Sequence, residues 1–150
     1  MGGPRQRVPR GALIPGLAER ADQDERKAKF MAQTTLCRRH DDMVRKALDQ
    51  CHGGKGAIDW TSVLGGGELA GRHLRFLHDD VLPPGVSIGA HRHEHDEEYY
   101  LILAGTGLMT LDDQALPVQA GDLTAVFAGG RHGLENTGSE DLRVLVIGIA

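Results

Sequence analysis

Residues 91–100 read HRHEHDEEYY, and this stretch decides both the fold and the chemistry of the chain. His91 and His93 are two residues apart, so on a β-strand both imidazoles project from the same face. Glu98 has the opposite parity and could not share that face if one strand continued through it. We therefore predict a turn over the hydrophilic residues 94–97, with Glu98 beginning the partner strand and facing the same interior.

A second segment downstream completes a two-part pattern. The first part is Gly85-x5-His91-x-His93-x4-Glu98-x6-Gly105, and the second is Gly121-x5-Phe127-x-Gly129-x2-His132-x3-Asn136. In this form the sequence resembles the cupin superfamily. It agrees with the two motifs of that family at nine of ten defining positions, and Phe127 stands where the family usually has Pro. The resemblance covers about residues 65–150, with fifteen residues between Gly105 and Gly121, as in compact single-domain microbial cupins.

The resemblance implies an all-β fold, the cupin double-stranded β-helix or jelly-roll barrel, that holds one divalent metal ion per chain. The ligands that it implies are His91, His93, Glu98 and His132. Three imidazoles and one carboxylate suit Mn(II) or Fe(II), with Ni(II) or Zn(II) as alternatives. Glu97 is the rival carboxylate, because cupins also tolerate a spacing one residue shorter. Glu98 is preferred because it keeps six residues before the glycine that closes the first motif.

Three further residues are candidates for substrate chemistry. Tyr100 is two residues after Glu98 and shares its inward face, so it is a candidate catalytic base, with an aromatic core filler as the alternative. His73 and Arg75 share one face of a strand and are candidates for binding an anionic substrate. Alternatively, the two residues lie at the edge of the core, where polar and apolar side chains mix, and this explains the pair equally well.

The rest of the chain also indicates an all-β domain. Short apolar-bearing runs are separated by turn residues such as Pro83-Pro84-Gly85 and Asn136-Thr137-Gly138. Runs of this length and spacing are typical of a sandwich or barrel, and the lack of an intervening helix excludes a parallel α/β sheet. We expect strands or entry segments at residues 44–48, 58–64, 73–82, 86–93, 99–103, 107–111, 115–118, 123–127 and 142–149.

The chain divides into an N-terminal extension and one barrel. With 150 residues it is long enough for a single domain. Residues 1–42 contain early prolines and no apolar stripe, so we expect them to be disordered or weakly helical. Residues 43–150 form the barrel, with motif 1 at 85–105 and motif 2 at 121–136. His40 and His52 lie before the region of resemblance and are assigned no role.

Composition excludes several classes of partner. The formal net charge is −4, and residues 43–150 carry eight Lys and Arg against fifteen Asp and Glu. Such an acidic body argues against nucleic-acid binding, which depends on cations. No apolar run approaches the length needed to span a bilayer, so no membrane contact is expected. Cys37 and Cys51 have no metal-type spacing, and we expect two reduced thiols in a cytoplasmic protein.

Two functions fit these observations. The first is a metal-dependent enzyme that acts on a small oxygenated or carboxylate-bearing molecule, by isomerase or epimerase, decarboxylase, dioxygenase or lyase chemistry. The alternative is a binding module that holds a sugar or carboxylate on its metal without turnover. Tyr100 favours the enzyme, because its phenol could act as a general base. We further expect a homodimer, paired through a sheet face or through the segment 43–64.

Overall fold

The computed structural model describes residues 35–150, which fold into two facing antiparallel β-sheets. Among these residues the helical elements are three short 3-10 turns, at His40–Asp42, Cys51–Gly53 and Gly66–Leu69. The strands are β1 (Val44–Asp49), β2 (Ala57–Gly65), β3 (Leu74–Leu82), β4 (Ser87–Arg92), β5 (Glu97–Ala104), β6 (Thr106–Leu111), β7 (Gln114–Gln119), β8 (Leu123–Val126), β9 (Arg131–Glu135) and β10 (Leu142–Ile149). The all-β prediction is therefore confirmed.

The strand order shows how the two sheets share the chain. One sheet has six strands in the order β1-β2-β3-β10-β5-β8, and the other has four in the order β4-β9-β6-β7. Because β4 and β5 lie in different sheets, the turn at 93–96 carries the chain from one sheet to the other. The expectation that Glu98 begins the hydrogen-bonded partner of the His91 strand is therefore wrong. Glu98 faces the same interior from the opposite sheet.

The space between the sheets holds the hydrophobic core. Strand β10 has the alternating pattern of a half-buried strand, with Leu142 and Val144 fully buried and Val146 3% exposed. Side chains from both sheets complete the core, including Ile102 of β5 and Met109 of β6. Buried polar side chains, among them His93, Glu98 and His132, also lie in the interior, and Tyr100 of the core contacts His132.

Strand β9 was missing from the predicted set of strands. Its sequence is Arg131-His132-Gly133-Leu134-Glu135, which has too few apolar residues to read as a strand. Antiparallel pairing with β4 on one side and with β6 on the other places it in the middle of the four-stranded sheet. Strand β9 forms because its backbone groups make hydrogen bonds to β4 and β6. Pairing between such distant segments cannot be read from the local pattern of residues.

Two residues of the motifs act in turns. Gly105 has φ of +81°, and a Cβ built on it would lie 2.5 Å from the carbonyl oxygen of Asp141, so only glycine fits. Asn136 is completely buried, and its Nδ2 donates hydrogen bonds to the carbonyls of Leu82 and Glu140. The expectation that Asn136 closes a turn is confirmed.

The end of the N-terminal extension contacts the barrel. Arg38 forms an ion pair with Glu68, and Arg45 donates a hydrogen bond to the carbonyl oxygen of His40. The expectation of disorder or weak helix concerns mainly residues 1–34, which lie outside the described residues. Within residues 35–150, no helix is long and apolar enough to cross a membrane.

Candidate metal centre

Four side chains converge in the interior, as the motifs predict. His91 lies on β4 directly opposite His132 on β9, and His93 follows the end of β4. Glu98 reaches the same point from β5 in the other sheet. His132 is fully buried, while Glu98 and His93 are 6% and 7% exposed. These four residues form a cluster that could hold one metal ion.

The ligand atoms are close enough to share one cation. The Nε2 atom of His93 lies 3.1 Å from that of His91 and 3.2 Å from that of His132, and the remaining Nε2 pair is 3.3 Å apart. Oε2 of Glu98 lies 2.8 Å from Nε2 of His132, 3.5 Å from that of His93 and 3.9 Å from that of His91. The three nitrogens thus form a nearly equilateral triangle, and the carboxylate oxygen lies closest to His132.

The hydrogen bonds around the cluster show that its donor set fits a metal. Nδ1 of His91 donates to the carbonyl oxygen of Gly89 at 2.9 Å, and Nδ1 of His93 donates to Oδ1 of Asp96 at 3.1 Å. In each neutral ring the proton is then on Nδ1, so Nε2 presents a lone pair. Two lone pairs 3.1 Å apart repel one another unless a cation lies between them.

Two buried atoms at the same point lack a hydrogen-bond partner. Oε2 of Glu98 is buried and has no group oriented to donate to it, and Nδ1 of His132 is likewise unpaired. A buried carboxylate oxygen without a partner is costly in a native protein and usually marks a ligand or ion. The orphaned oxygen therefore supports the same conclusion as the facing lone pairs.

The protonation states also suit metal binding. Burial lowers the pKa of His91 to about 4, although the hydrogen bond to Gly89 opposes the change, so the ring is neutral at neutral pH. Burial raises the pKa of Glu98, but the nearby histidines His132, His93 and His91 together outweigh this effect, and the net pKa is below the ordinary value. A neutral imidazole and an ionised carboxylate are the forms that bind metals.

A carboxylate outside the cluster orients His93. Asp96 accepts a hydrogen bond from His93 through Oδ1, and its Oδ2 accepts one from Arg75 at 2.6 Å. Arg75 lies on the face of β3 opposite to the interior, and its side chain is 50% exposed. Arg75 thus reaches the metal cluster through Asp96, a connection that the sequence did not suggest. His73, which precedes β3, is exposed. The role in substrate binding predicted for His73 and Arg75 stays a prediction.

His52 is a site residue that the sequence analysis dismissed. Its ring stacks on that of His91, with centroids 3.7 Å apart and planes 10° from parallel. The loop that carries it packs against β4, because Gly54 and Gly89 let the two backbones touch. A Cβ on Gly89 would lie 2.2 Å from the carbonyl oxygen of His52. His52 itself has φ of +50°, which is strained for a residue other than glycine. The left-handed conformation and the backbone contact have no sequence signature.

The choice between the two glutamates follows from the pleat of β5. Glu97 faces away from the cluster, and its Oε2 accepts a hydrogen bond from the hydroxyl of Tyr99 at 2.8 Å. Glu98 and Tyr100 face the interior, and the Tyr100 ring lies 4.7 Å from the ring of His132 between centroids. The structure therefore brings Glu98 to the cluster, and not Glu97. His95 is 92% exposed in the turn between the two sheets.

Comparison with known proteins agrees with this fold. The model of the Cupin domain family matches residues 79–148. An oxalate-binding protein from Thermotoga maritima is 32% identical over 114 residues, which span 76% of this chain and 93% of that protein. The chain belongs to the cupin superfamily. This cupin also superposes with a TM-score of 0.71 on the crystal structure of a predicted oxalate decarboxylase from Thermotoga maritima, with 32% identity over 76% of this chain and 98% of the other.

A second relative is known only as an uncharacterized protein. It comes from Methanocaldococcus jannaschii and is 38% identical over 69 residues, which make up 46% of this cupin and 55% of that protein.

Proposed function

We propose that this cupin holds one divalent metal ion, Mn(II) or Fe(II) in preference to Ni(II) or Zn(II), and uses it to bind a small carboxylate of the oxalate class. The observation that carries the proposal is the arrangement of the four ligand atoms. The similarity to an oxalate-binding protein from Thermotoga maritima supports this class of ligand.

The number of protein ligands favours an ion that takes more than four. Three imidazoles and one carboxylate would complete a tetrahedral Zn(II) site, whereas they would leave positions open on Mn(II) or Fe(II). The three imidazole nitrogens are 3.1 to 3.3 Å apart, and Oε2 of Glu98 is 2.8 to 3.9 Å from them. All four atoms are therefore close enough to bind one ion.

A small bidentate carboxylate would suit the positions that the protein leaves open. Two vicinal oxygens, as in oxalate, could bind one ion together, whereas a longer dicarboxylate closes a larger and less favourable ring. The charge also suits an anion, because a divalent cation with one carboxylate and three neutral imidazoles carries a net charge of +1. The metal would supply the positive charge that attracts the ligand and stabilises negative charge on its oxygens.

The direct test is metal-dependent binding of oxalate. Protein stripped with a chelator and reloaded with Mn(II) should bind oxalate in isothermal titration calorimetry, and stripped protein should not. Glu98→Gln should lose both metal and oxalate, while Glu97→Gln, the neighbouring residue on the opposite face of β5, should retain both. Oxalate binding that is the same in stripped and reloaded protein would refute the proposal.

A second candidate function is catalysis on the bound carboxylate, and the position of Tyr100 favours it. Its ring is 2% exposed and lies against His132. Burial raises the pKa of the phenol well above its ordinary value, and the charge of Glu98 adds to this effect, so in the metal-free protein the hydroxyl keeps its proton. The positive charge of a bound metal would act in the opposite direction. The catalytic role of Tyr100 stays a prediction.

Turnover can be separated from binding with one variant. Tyr100→Phe should keep the metal and the affinity for oxalate, and it should reduce any release of carbon dioxide from oxalate about 100-fold, as expected for the loss of an acid–base group. A wild-type protein that binds oxalate and releases no product would restrict the function to binding.

We also propose a homodimer in solution. Among residues 35–150, strand β1 is the edge of the six-stranded sheet and pairs only with β2, so its outer edge offers hydrogen-bonding groups to a second copy. Val44 on this strand is 63% exposed. Multi-angle light scattering at micromolar concentration tests the proposal, and a monomer mass would refute it.

A further inference from the structure

A group of side chains on the inner face of β1, β2 and β3 has no part in the function described so far. Phe76 and His78 of β3 point into the interior, since they alternate with the outward-facing residues of that strand. Val146 of β10 pairs with His78 on one side and with Tyr100 on the other. His78 therefore lies in the same cross-strand row as Tyr100, two strands away, on the inner face of the sheet that also carries Glu98.

The hydrogen bond from Trp60 fixes the tautomer of His78. Nε1 of Trp60 lies 3.1 Å from Nδ1 of His78, and an indole nitrogen can only donate. Nδ1 of His78 must therefore accept, and in the neutral ring the proton resides on Nε2. Burial lowers the pKa of His78 to about 4, and the charge of Lys46 lowers it further against the opposing effect of Glu98, so the neutral form dominates at neutral pH.

The ring of His78 is held in place on both sides. Phe76 stacks on it with centroids 4.6 Å apart and planes 14° from parallel, and Trp60 contacts it edge-on at 4.8 Å. Phe76 is itself confined, because it packs over Gly148, where a Cβ would lie 2.4 Å from the ring. Such a preorganised donor loses little entropy when it binds a ligand.

Two polar atoms of this face have no hydrogen-bond or ion-pair partner within the part of the chain that the structure describes. Nε2 of His78 has no hydrogen-bond partner there, and it is not fully buried. The Nζ atom of Lys46 lies 4.7 Å from the centre of the Trp60 ring, and among residues 35–150 no carboxylate forms an ion pair with it. One N–H donor and one cation are thus available on the inner face of the sheet that carries Glu98.

We propose that His78 and Lys46 form a subsite that binds the outer oxygens of the metal-bound carboxylate, the oxygens that point away from the metal. The inference rests on the proposed function and adds the basis of its specificity. Oxalate has two such outer oxygens, and one of its carboxylates could accept from His78 while the other neighbours the Lys46 ammonium. Glycolate offers the same two vicinal oxygens to a metal but has only one outer oxygen. The subsite should therefore make this cupin prefer oxalate to glycolate.

The test measures both affinities in three variants. His78→Phe removes the donor and keeps an aromatic ring, Lys46→Met removes the cation and keeps the chain length, and Trp60→Phe removes the bond that fixes the tautomer. In Mn(II)-loaded protein, His78→Phe and Lys46→Met should each weaken oxalate about 10-fold or more and glycolate by less, as expected for losing a hydrogen bond or charge. Metal affinity should not change in any of the three, and equal melting temperatures show that the variants are folded.

A second measurement reports on the tautomer without any ligand. In Zn(II)-loaded protein, which is diamagnetic, the ¹⁵N shifts of His78 should show a protonated Nε2 and an unprotonated Nδ1. Trp60→Phe should mix the two tautomers. A wild-type ring protonated on Nδ1 would overturn the inference, and so would unchanged oxalate-to-glycolate preference in both His78→Phe and Lys46→Met. If wild-type protein binds neither acid, the proposed function itself fails, which the wild-type titration alone reveals.

Discussion

Asp96 should determine how tightly the cluster binds its metal, although it is not itself a ligand. Its two carboxylate oxygens accept from His93 at 3.1 Å and from Arg75 at 2.6 Å, so it fixes both the orientation and the tautomer of His93. Outer carboxylates of this kind typically change metal affinity 10- to 100-fold, which is about 1.4 to 2.7 kcal/mol. Asp96→Asn keeps an acceptor for His93 but loses the charge, so we expect a loss of about 10-fold.

Two further variants divide the effect into parts. Asp96→Ala removes the acceptor as well, and we expect a loss near 100-fold, at the upper end of that range. Arg75→Met should weaken metal binding by less than about fivefold, since an exposed ion pair contributes about 0 to 1 kcal/mol. Glu94→Gln is the matched control, because Glu94 is 77% exposed in the same turn and also carries one negative charge. It should bind metal as tightly as the wild type.

Competition with a chromophoric chelator measures the affinity, and circular dichroism of the metal-free variants verifies that they are folded. The reasoning fails if Asp96→Asn binds Mn(II) as tightly as the wild type. It fails as well if Glu94→Gln loses as much affinity as Asp96→Asn, because the effect would then come from net charge and not from the contact with His93.

Two other predictions concern stability. Gly89→Ala places a Cβ 2.2 Å from the His52 carbonyl oxygen, a backbone atom that cannot swing aside, and it should cost about 1 to 3 kcal/mol by overpacking. Gly67→Ala, where nothing lies within 4 Å of the added Cβ, should leave the melting temperature nearly unchanged in differential scanning calorimetry. Burial raises the pKa of Asp80 from 3.8 to about 7, so the folded protein binds more protons than the unfolded chain in that window and loses stability as pH rises through it. Asp80→Asn should therefore raise the melting temperature more at pH 8 than at pH 5, and an equal gain at both values would contradict the raised pKa.

The sequence was informative about the metal centre because ligand chemistry is strict. A divalent ion binds only a few kinds of ligand atom, and the fold that presents them has glycines at fixed turns. The spacing of His91, His93, Glu98 and His132 can therefore be recognised in the sequence. The parity of Glu98 also required a turn before it, and the structure has that turn. The all-β class followed from short apolar runs, since the period of a strand is a local property.

Only the tertiary structure decided which sheet each strand joined and what surrounds the ligands. Strand β9 forms because β4 and β6 supply partners for its backbone. His52 meets His91 across about 40 residues of chain because two glycines allow their backbones to touch, and Asp96 meets Arg75 because the barrel closes. The wall of Trp60, His78 and Lys46 likewise joins three strands. Contacts of this kind depend on packing between distant segments, which no local spacing records.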